Sequence, residues 1–184
     1  MKKQLLIIAL VLIGISIGAL ALSYKYLRPT RGMTTMGVPS GYVQAEIKDV
    51  EFISHGSGVV YLSEKGGSTI LPIYISEEQA RTIVMLMNEI PSERPFMHDL
   101  MGSLLDNSNM RVDYVSVDGL EEGIYYATIA LRNGKFIMID ARPSDSIILA
   151  LRENAPIYIN AELLKKEGIT THPPIDILRG GFSV

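Results

Sequence analysis

From Leu5 to Leu22 the chain runs LLIIALVLIGISIGALAL, eighteen residues without a charge and with Ser16 as the only polar side chain. As a helix at about 1.5 Å per residue this run spans roughly 27 Å, close to the hydrocarbon thickness of a bilayer. Tyr24 and Tyr26 follow it, where aromatic rings favour the membrane–water interface. Ala19-Leu20-Ala21 has the small-x-small form of a signal-peptidase site behind a basic Met-Lys-Lys start. Against cleavage, the run exceeds an ordinary signal h-region, and Lys25, Arg28 and Arg31 follow as a stop-transfer flank. The sequence therefore predicts a single-pass membrane anchor over residues 1–28, with a signal peptide as the alternative. Lys2 and Lys3 on one side and three basic residues on the other leave the side of the membrane open. Residues 29–41, rich in Thr, Gly, Met and Pro, read as a flexible tether.

Beyond residue 40 the character changes. The remaining 144 of 184 residues are a usual size for one domain and can bury a core without staples. There is no cysteine, which excludes disulfides, thiol nucleophiles and thiolate metal sites. Twelve of the 17 basic residues and all 20 acids lie in this part, a net charge of −8. A domain that grips a phosphate backbone with many Lys and Arg would be basic. Any contact with nucleic acid must be local or assisted by cations.

Periodicity places strands near 43–53, 58–63 and 68–75, the last two joined by Glu64-Lys65-Gly66-Gly67. Ser76 and Gln79 form a capping box for a helix whose Ala80, Ile83, Val84 and Met87 share a face, and Pro91 stops it. A second helix starts near Pro95, with Met97, Leu100, Met101, Leu104 and Leu105 as its expected inner stripe. Strands near 110–117, 123–132 and 135–141 follow. Asn133-Gly134 between the last two signals a type I′ hairpin. A helix from Pro143 to about Asn154, a short strand at 157–159 and a short helix at 161–166 complete a domain over 42–168, and residues 169–184 form a loose tail. Strands, helices, strands, then helix suggest an α+β fold, a largely antiparallel or mixed sheet with helices packed on it.

Two segments concentrate polar side chains. In Arg94-Pro95-Phe96-Met97-His98-Asp99-Leu100, Arg94 stands at a helix start, where backbone N–H groups also hold anions. His98 borders the apolar stripe and Asp99 points away from it, so the two do not share one ligand atom. An ordinary role for such a pair is a half-buried histidine beside a solvated acid. In Asp140-Ala141-Arg142-Pro143-Ser144-Asp145-Ser146, Asp140 breaks the apolar row of Phe136 and Met138. Ser144 falls near the centre of the following helix's inner face and Asp145 near its edge, and polar groups so placed must find partners. Helix capping explains Asp145. A pocket at the strand-to-helix junction would use Asp140, Arg142, Ser144 and Asp145 together. His55 lies in a turn and His172 in a proline-rich tail, with little to position either. Beyond residue 40 the sequence carries no P-loop, no Gly-x-Ser-x-Gly and no dinucleotide fingerprint. Three scattered histidines cannot build a multi-histidine metal site, whereas Mg²⁺ or Mn²⁺ on carboxylates is chemically open.

Arg94-Pro95 with His98-Asp99-Leu100, and ARPSDSIILALRENAPIYI from Ala141 to Ile159, resemble the two signatures of the bifunctional nuclease domain family. The likeness runs from about Val43 to Gly168 and includes LPIYISEEQA, Asp113 to Leu120 and Tyr125-Tyr126-Ala127-Thr128. Phe96-Met97 stands where a smaller or polar pair is common, Ser146 where alanine is usual, and the membrane segment departs from a mostly soluble family. The resemblance implies an α+β fold, frequent self-association and, for some members, cleavage of RNA and DNA.

The sequence thus supports two expectations. In the first, the chain is a membrane-tethered phosphodiesterase of RNA and DNA. His98 acts as general acid or base, Asp99 orients it, and Asp140 and Asp145 hold Mg²⁺, Mn²⁺ or the attacking water. Arg94, Arg142 and Ser144 bind phosphate. In the second, the same groups form a polar network or anion pocket in a non-catalytic, homo-oligomeric binding module. An open groove lined by Arg94, His98, Asp140 and Arg142 would favour the enzyme, and a closed salt-bridge network the module.

Overall fold

In a computed structural model the described residues are 40–170. Leu5–Leu22 lies outside them, as do most of the tether and most of the tail. Among the described residues no helix is long and apolar enough to cross a membrane. These residues form eight strands and four helices: β1 (Tyr42–Ile53), β2 (Ser57–Glu64), β3 (Thr69–Ser76), α1 (Glu77–Met87), α2 (Met97–Asn107), β4 (Arg111–Glu121), β5 (Ile124–Asn133), β6 (Lys135–Ala141), α3 (Pro143–Glu153), β7 (Ile157–Asn160), α4 (Ala161–Glu167) and β8 (Ile169–Thr170). All lie in one sheet, ordered β6-β5-β4-β7-β1-β2-β3-β8. The sheet is mixed: β4 and β7 pair in parallel and the other neighbours are antiparallel. The expected α+β class holds. Ile169 and Thr170, assigned from sequence to the loose tail, instead add a short strand to β3.

Local chemistry explains the elements. Ser76 Oγ accepts from the Gln79 N–H at 3.2 Å and Gln79 Oε1 from the Ser76 N–H at 3.1 Å, the reciprocal cap expected of α1. Asn154 ends α3 in the left-handed conformation (φ 53°), which asparagine tolerates. Glu122 and Gly123, at φ 49° and 80°, make the two-residue turn between β4 and β5, both positive as a type I′ turn requires. The hairpin at Asn133-Gly134 forms, but not as type I′. Only Gly134 has positive φ (69°), and Asn133 stays in β5 opposite Lys135. The Asn133 side-chain amide donates to the Ser108 carbonyl at 3.4 Å, which ties this hairpin to the end of α2.

Helices α1 and α3 pack side by side over the sheet, α1 against β1–β3 and α3 against β4 and β5. Leu62, Leu71, Ile73, Ile83, Val115, Val117, Ile147 and Ile159 fill the core between them. The sheet curls strongly. Tyr125 at the start of β5 donates to the Pro72 carbonyl on β3 at 3.2 Å, although β3 lies five places away along the sheet. In a flat sheet those strands would stand about 24 Å apart. Bulges at Asp113 and Asp118 help bend β4 and re-aim both carboxylates.

Helix α2 flanks α3 and corrects one expectation. Met97, Leu100, Met101 and Leu104 were expected to face inward. They face outward, with Met97 75% and Leu104 55% exposed. Gly102 and Leu105 are the buried residues of α2.

Candidate functional site

The reversed facing of α2 turns Asp99 toward the protein. Its Oδ2 accepts from the Phe96 N–H at 2.9 Å, satisfying one donor that the helix start leaves free. Its Oδ1 lies 3.5 Å from Arg152 Nε, in the last turn of α3. The other side of that guanidinium, at Nη1, pairs with Glu153. Arg152 Nε is buried and makes no hydrogen bond among the described residues, so Asp99 serves it as a nearby charge. Gly102 makes this approach possible, because a Cβ there would overlap both the Arg152 guanidinium and the Glu153 carboxylate.

His98 stands beside this cluster. Its ring stacks on Phe96, centroids 5.5 Å apart, and Nε2 lies 3.7 Å from Asp99 Oδ2, too far for a hydrogen bond. Burial holds the imidazole below its ordinary value of 6.5. Asp99 opposes that shift and Arg152 adds to it. The histidine is therefore neutral at pH 7 and able to accept a proton. His98 and Asp99 line a cleft of about 200 Å³ with Thr82, Met85, Leu86, Ile90, Pro91, Ser92 and Phe96. Arg94 is exposed in the same α1–α2 loop.

The second segment sits at the other end of α3. Arg142 donates to Asp145 through Nε at 2.7 Å and Nη2 at 3.2 Å, a bidentate pair exposed to solvent. This pair raises the Arg142 pKa. Ser144 is buried under the first turn, on the inner face as expected, and Ser146 Oγ donates to the Arg142 carbonyl at 3.1 Å. Asp140 is exposed on β6, opposite Thr128 of β5. The structure thus brings together His98, Asp99 and Arg152 at one end of α3, and Arg142 and Asp145 at the other. Arg142 and Arg152 are ten residues apart, a helical rise of about 15 Å. Among the described residues no hydrogen bond or ion pair joins the two groups, and no set of three His, Cys, Asp or Glu side chains could hold a metal.

Sequence reasoning passed over Arg152 and Glu153, which lie inside the quoted ARPSDSIILALRENAPIYI block. Gly102 was their signal, since a glycine inside a helix marks a close approach. It also passed over Asp118, whose carboxylate accepts from Tyr42 OH (2.9 Å), Ser116 Oγ (2.6 Å) and Thr128 Oγ1 (2.6 Å).

The bifunctional nuclease domain matches residues 60–172, more than half of the chain and both segments. The chain belongs to the bifunctional nuclease domain family. Relatives share its sequence over much of this stretch. An uncharacterized protein of Mycobacterium tuberculosis is 33% identical over 111 residues, covering 60% of this chain and 66% of that protein. Bifunctional nuclease 2 of Arabidopsis thaliana is 27% identical over 117 residues, 61% of this chain and 36% of its own length. Bifunctional nuclease 1 of Oryza sativa subsp. japonica is 23% identical over 120 residues, 63% and 36% respectively. The matched stretch is about a third of each plant relative, so the family holds for the domain and not for the whole plant proteins.

Proposed function

We propose that the domain is a phosphodiester hydrolase acting on RNA and DNA, with His98 as the proton-transfer residue. The observation that carries this reading is a half-buried histidine lining a cleft, beside Asp99 and Arg152, in a domain of this family. A nuclease that cuts both RNA and DNA cannot depend on a 2′-hydroxyl as nucleophile, and we assign the attack to water. His98 takes its proton as oxygen adds to phosphorus, the bond to the leaving sugar oxygen breaks, and that oxygen takes a proton from solvent. Arg152 and Asp99 set the field at the histidine. We assign Arg94, exposed in the loop beside the cleft, to a phosphate.

The Asp140, Arg142, Ser144 and Asp145 group enters as a second element. Asp145 is engaged by Arg142, so Asp140 is the carboxylate we assign to Mg²⁺ or Mn²⁺; at the other end of α3 from His98, such an ion would meet a different phosphate of the strand from the one that His98 serves. Such an ion keeps several waters and binds through one or two carboxylates plus substrate phosphate. A cation there would offset the net charge of −8 against a polyanion. We place the chain at a membrane through residues 5–22, on the strength of that run alone.

A second reading has its own support. Asp99 with Arg152 and Glu153, and Arg142 with Asp145, are mutually engaged pairs, as a structural network in a non-catalytic module would have.

The test is cleavage of labelled single-stranded RNA and DNA by the full chain in nonionic detergent, with Mg²⁺, Mn²⁺ or EDTA, beside His98→Ala and Asp140→Ala singly. Loss in His98→Ala, with EDTA and Asp140→Ala acting alike, supports the scheme. Cleavage unchanged in both variants rejects the site. No cleavage from a folded chain favours the module.

A further inference from the structure

The cleft beside His98 is more apolar than proton transfer requires. Helix α1 contributes Met85 and Leu86 to its lining, and the loop that follows contributes Ile90. Ile90 is 52% and Phe96 43% exposed. The Phe96 ring stacks on the His98 imidazole, centroids 5.5 Å apart and planes 20° from parallel, and the rest of its surface is open. A cleft of about 200 Å³ beside an open aromatic ring admits one flat ring system and not a base pair. The hydroxyls of Thr82 and Ser92 add polar groups able to meet the edge of such a ring. Arg94 stands exposed two residues before Phe96, at most about 7 Å away along the backbone. Charge narrows the occupant further. Beyond residue 40 the chain carries 12 basic residues against 20 acids, so it cannot hold a nucleic acid through many phosphate contacts. The other source of grip on a single strand is stacking of bases on aromatic rings, worth roughly 5- to 140-fold in affinity for each base.

We propose that this cleft takes one unpaired nucleobase of the substrate strand, stacked on the open surface of Phe96, and that this stacking supplies most of the grip of an acidic domain on a polyanion. This inference rests on the hydrolase reading of the same cleft and adds what the cleft recognises. Stacking uses the π-face that every base has and ignores the 2′-hydroxyl, so RNA and DNA strands are held alike. A duplex keeps its bases paired and stacked, so entry of one base costs unpairing and unstacking, and a duplex is held less tightly. Because Phe96 and His98 are stacked, a base seated on Phe96 brings an adjoining phosphodiester to the imidazole. Arg94, close along the chain, meets a neighbouring phosphate. Phe96 is thus a positioning residue, setting which bond of the strand His98 addresses.

The full chain in nonionic detergent is titrated, in EDTA, against short fluorescein-labelled probes whose phosphorothioate linkages keep them intact. The probes are single-stranded DNA, single-stranded RNA, a DNA duplex, and a DNA strand abasic at its internal positions, which keeps the phosphates and lacks the bases. Binding is read by fluorescence anisotropy. The two single strands should bind alike, and on the order of ten-fold tighter than the duplex or the abasic strand. Phe96→Ala and Phe96→Leu should each weaken single-strand binding on the order of ten-fold and leave the abasic strand unaffected, while Phe96→Tyr should match the parent. All three keep the backbone N–H of residue 96 that Asp99 accepts at the start of α2, and circular dichroism checks the fold. Raising salt from about 50 to 200 mM should cost roughly three- to seven-fold, as one or two phosphate contacts give, against a hundred-fold or more for six. Duplex or abasic probes bound as tightly as single strands, or full binding by Phe96→Leu, would overturn the stacking, while cleavage of ordinary strands by the parent would leave the hydrolase reading standing. Cleavage with Mg²⁺ or Mn²⁺ and no binding in EDTA would overturn it in favour of phosphate held through a cation. A folded chain that neither binds nor cleaves any strand would overturn both readings.

Discussion

Asp99 and Arg152 meet where α2 crosses α3, Oδ1 3.5 Å from Nε, and this contact joins the two sequence segments that the chain shares with its family. Asp99 also holds the first turn of α2 through the Phe96 N–H. Asp99→Ala removes both contacts and leaves Glu153 to balance the buried Arg152 guanidinium, and should lower stability by about 1–3 kcal/mol. Urea unfolding measures this. A double-mutant cycle with Arg152→Ala should show coupling, since the two residues share one contact. Additive losses would refute it.

Gly102 lets that contact form. Gly102→Ala puts a methyl group into the Arg152 guanidinium and the Glu153 carboxylate. Although alanine favours helix, overpacking should dominate and cost about 1–3 kcal/mol. Adding Arg152→Ala should recover much of that loss. A Gly102→Ala chain more stable than the parent would show that α2 shifts freely.

His98 makes stability depend on pH with a definite sign. Its folded pKa lies below 6.5 because burial disfavours the charged ring. The unfolded state therefore binds the proton more readily as pH falls through that value. Stability from this residue is full above pH 6.5 and declines below it. His98→Gln should flatten the acid side of the melting-temperature profile between about pH 7 and 5. An unchanged slope would mean that other groups carry the dependence.

Asp118 gathers three hydroxyls, from β1, β4 and β5. Asp118→Ala leaves them without their acceptor and should cost about 1–3 kcal/mol in chemical denaturation, while Asp118→Asn, which keeps one acceptor oxygen, should cost less. Cleavage of nucleic acid should persist in a folded Asp118→Asn chain, because the proposed site lies with His98.

Element positions were legible in the sequence because they rest on local chemistry. The Ser76 and Gln79 cap, the Pro143 start of α3, the turns around Gly66 and Gly134, and the period-two runs all act within a few residues of themselves. The motif residues were legible for the same reason, as polar groups interrupting apolar rows. The facing of α2 was not. Its apolar period identifies a stripe, and a stripe does not say whether it meets the core or a neighbour. Tertiary packing decided that, because Gly102 is the one surface of α2 small enough to lie against Arg152, and Asp99 on the same side supplies that buried cation with a charge. The same packing separated Arg142 and Asp145 from His98 and Asp99, since a rigid helix of eleven residues carries one group at each end. Sequence by itself determined which residues form strands, helices and motifs; the tertiary structure decided which of them meet, because contacts between distant segments depend on shape and charge that no local window contains.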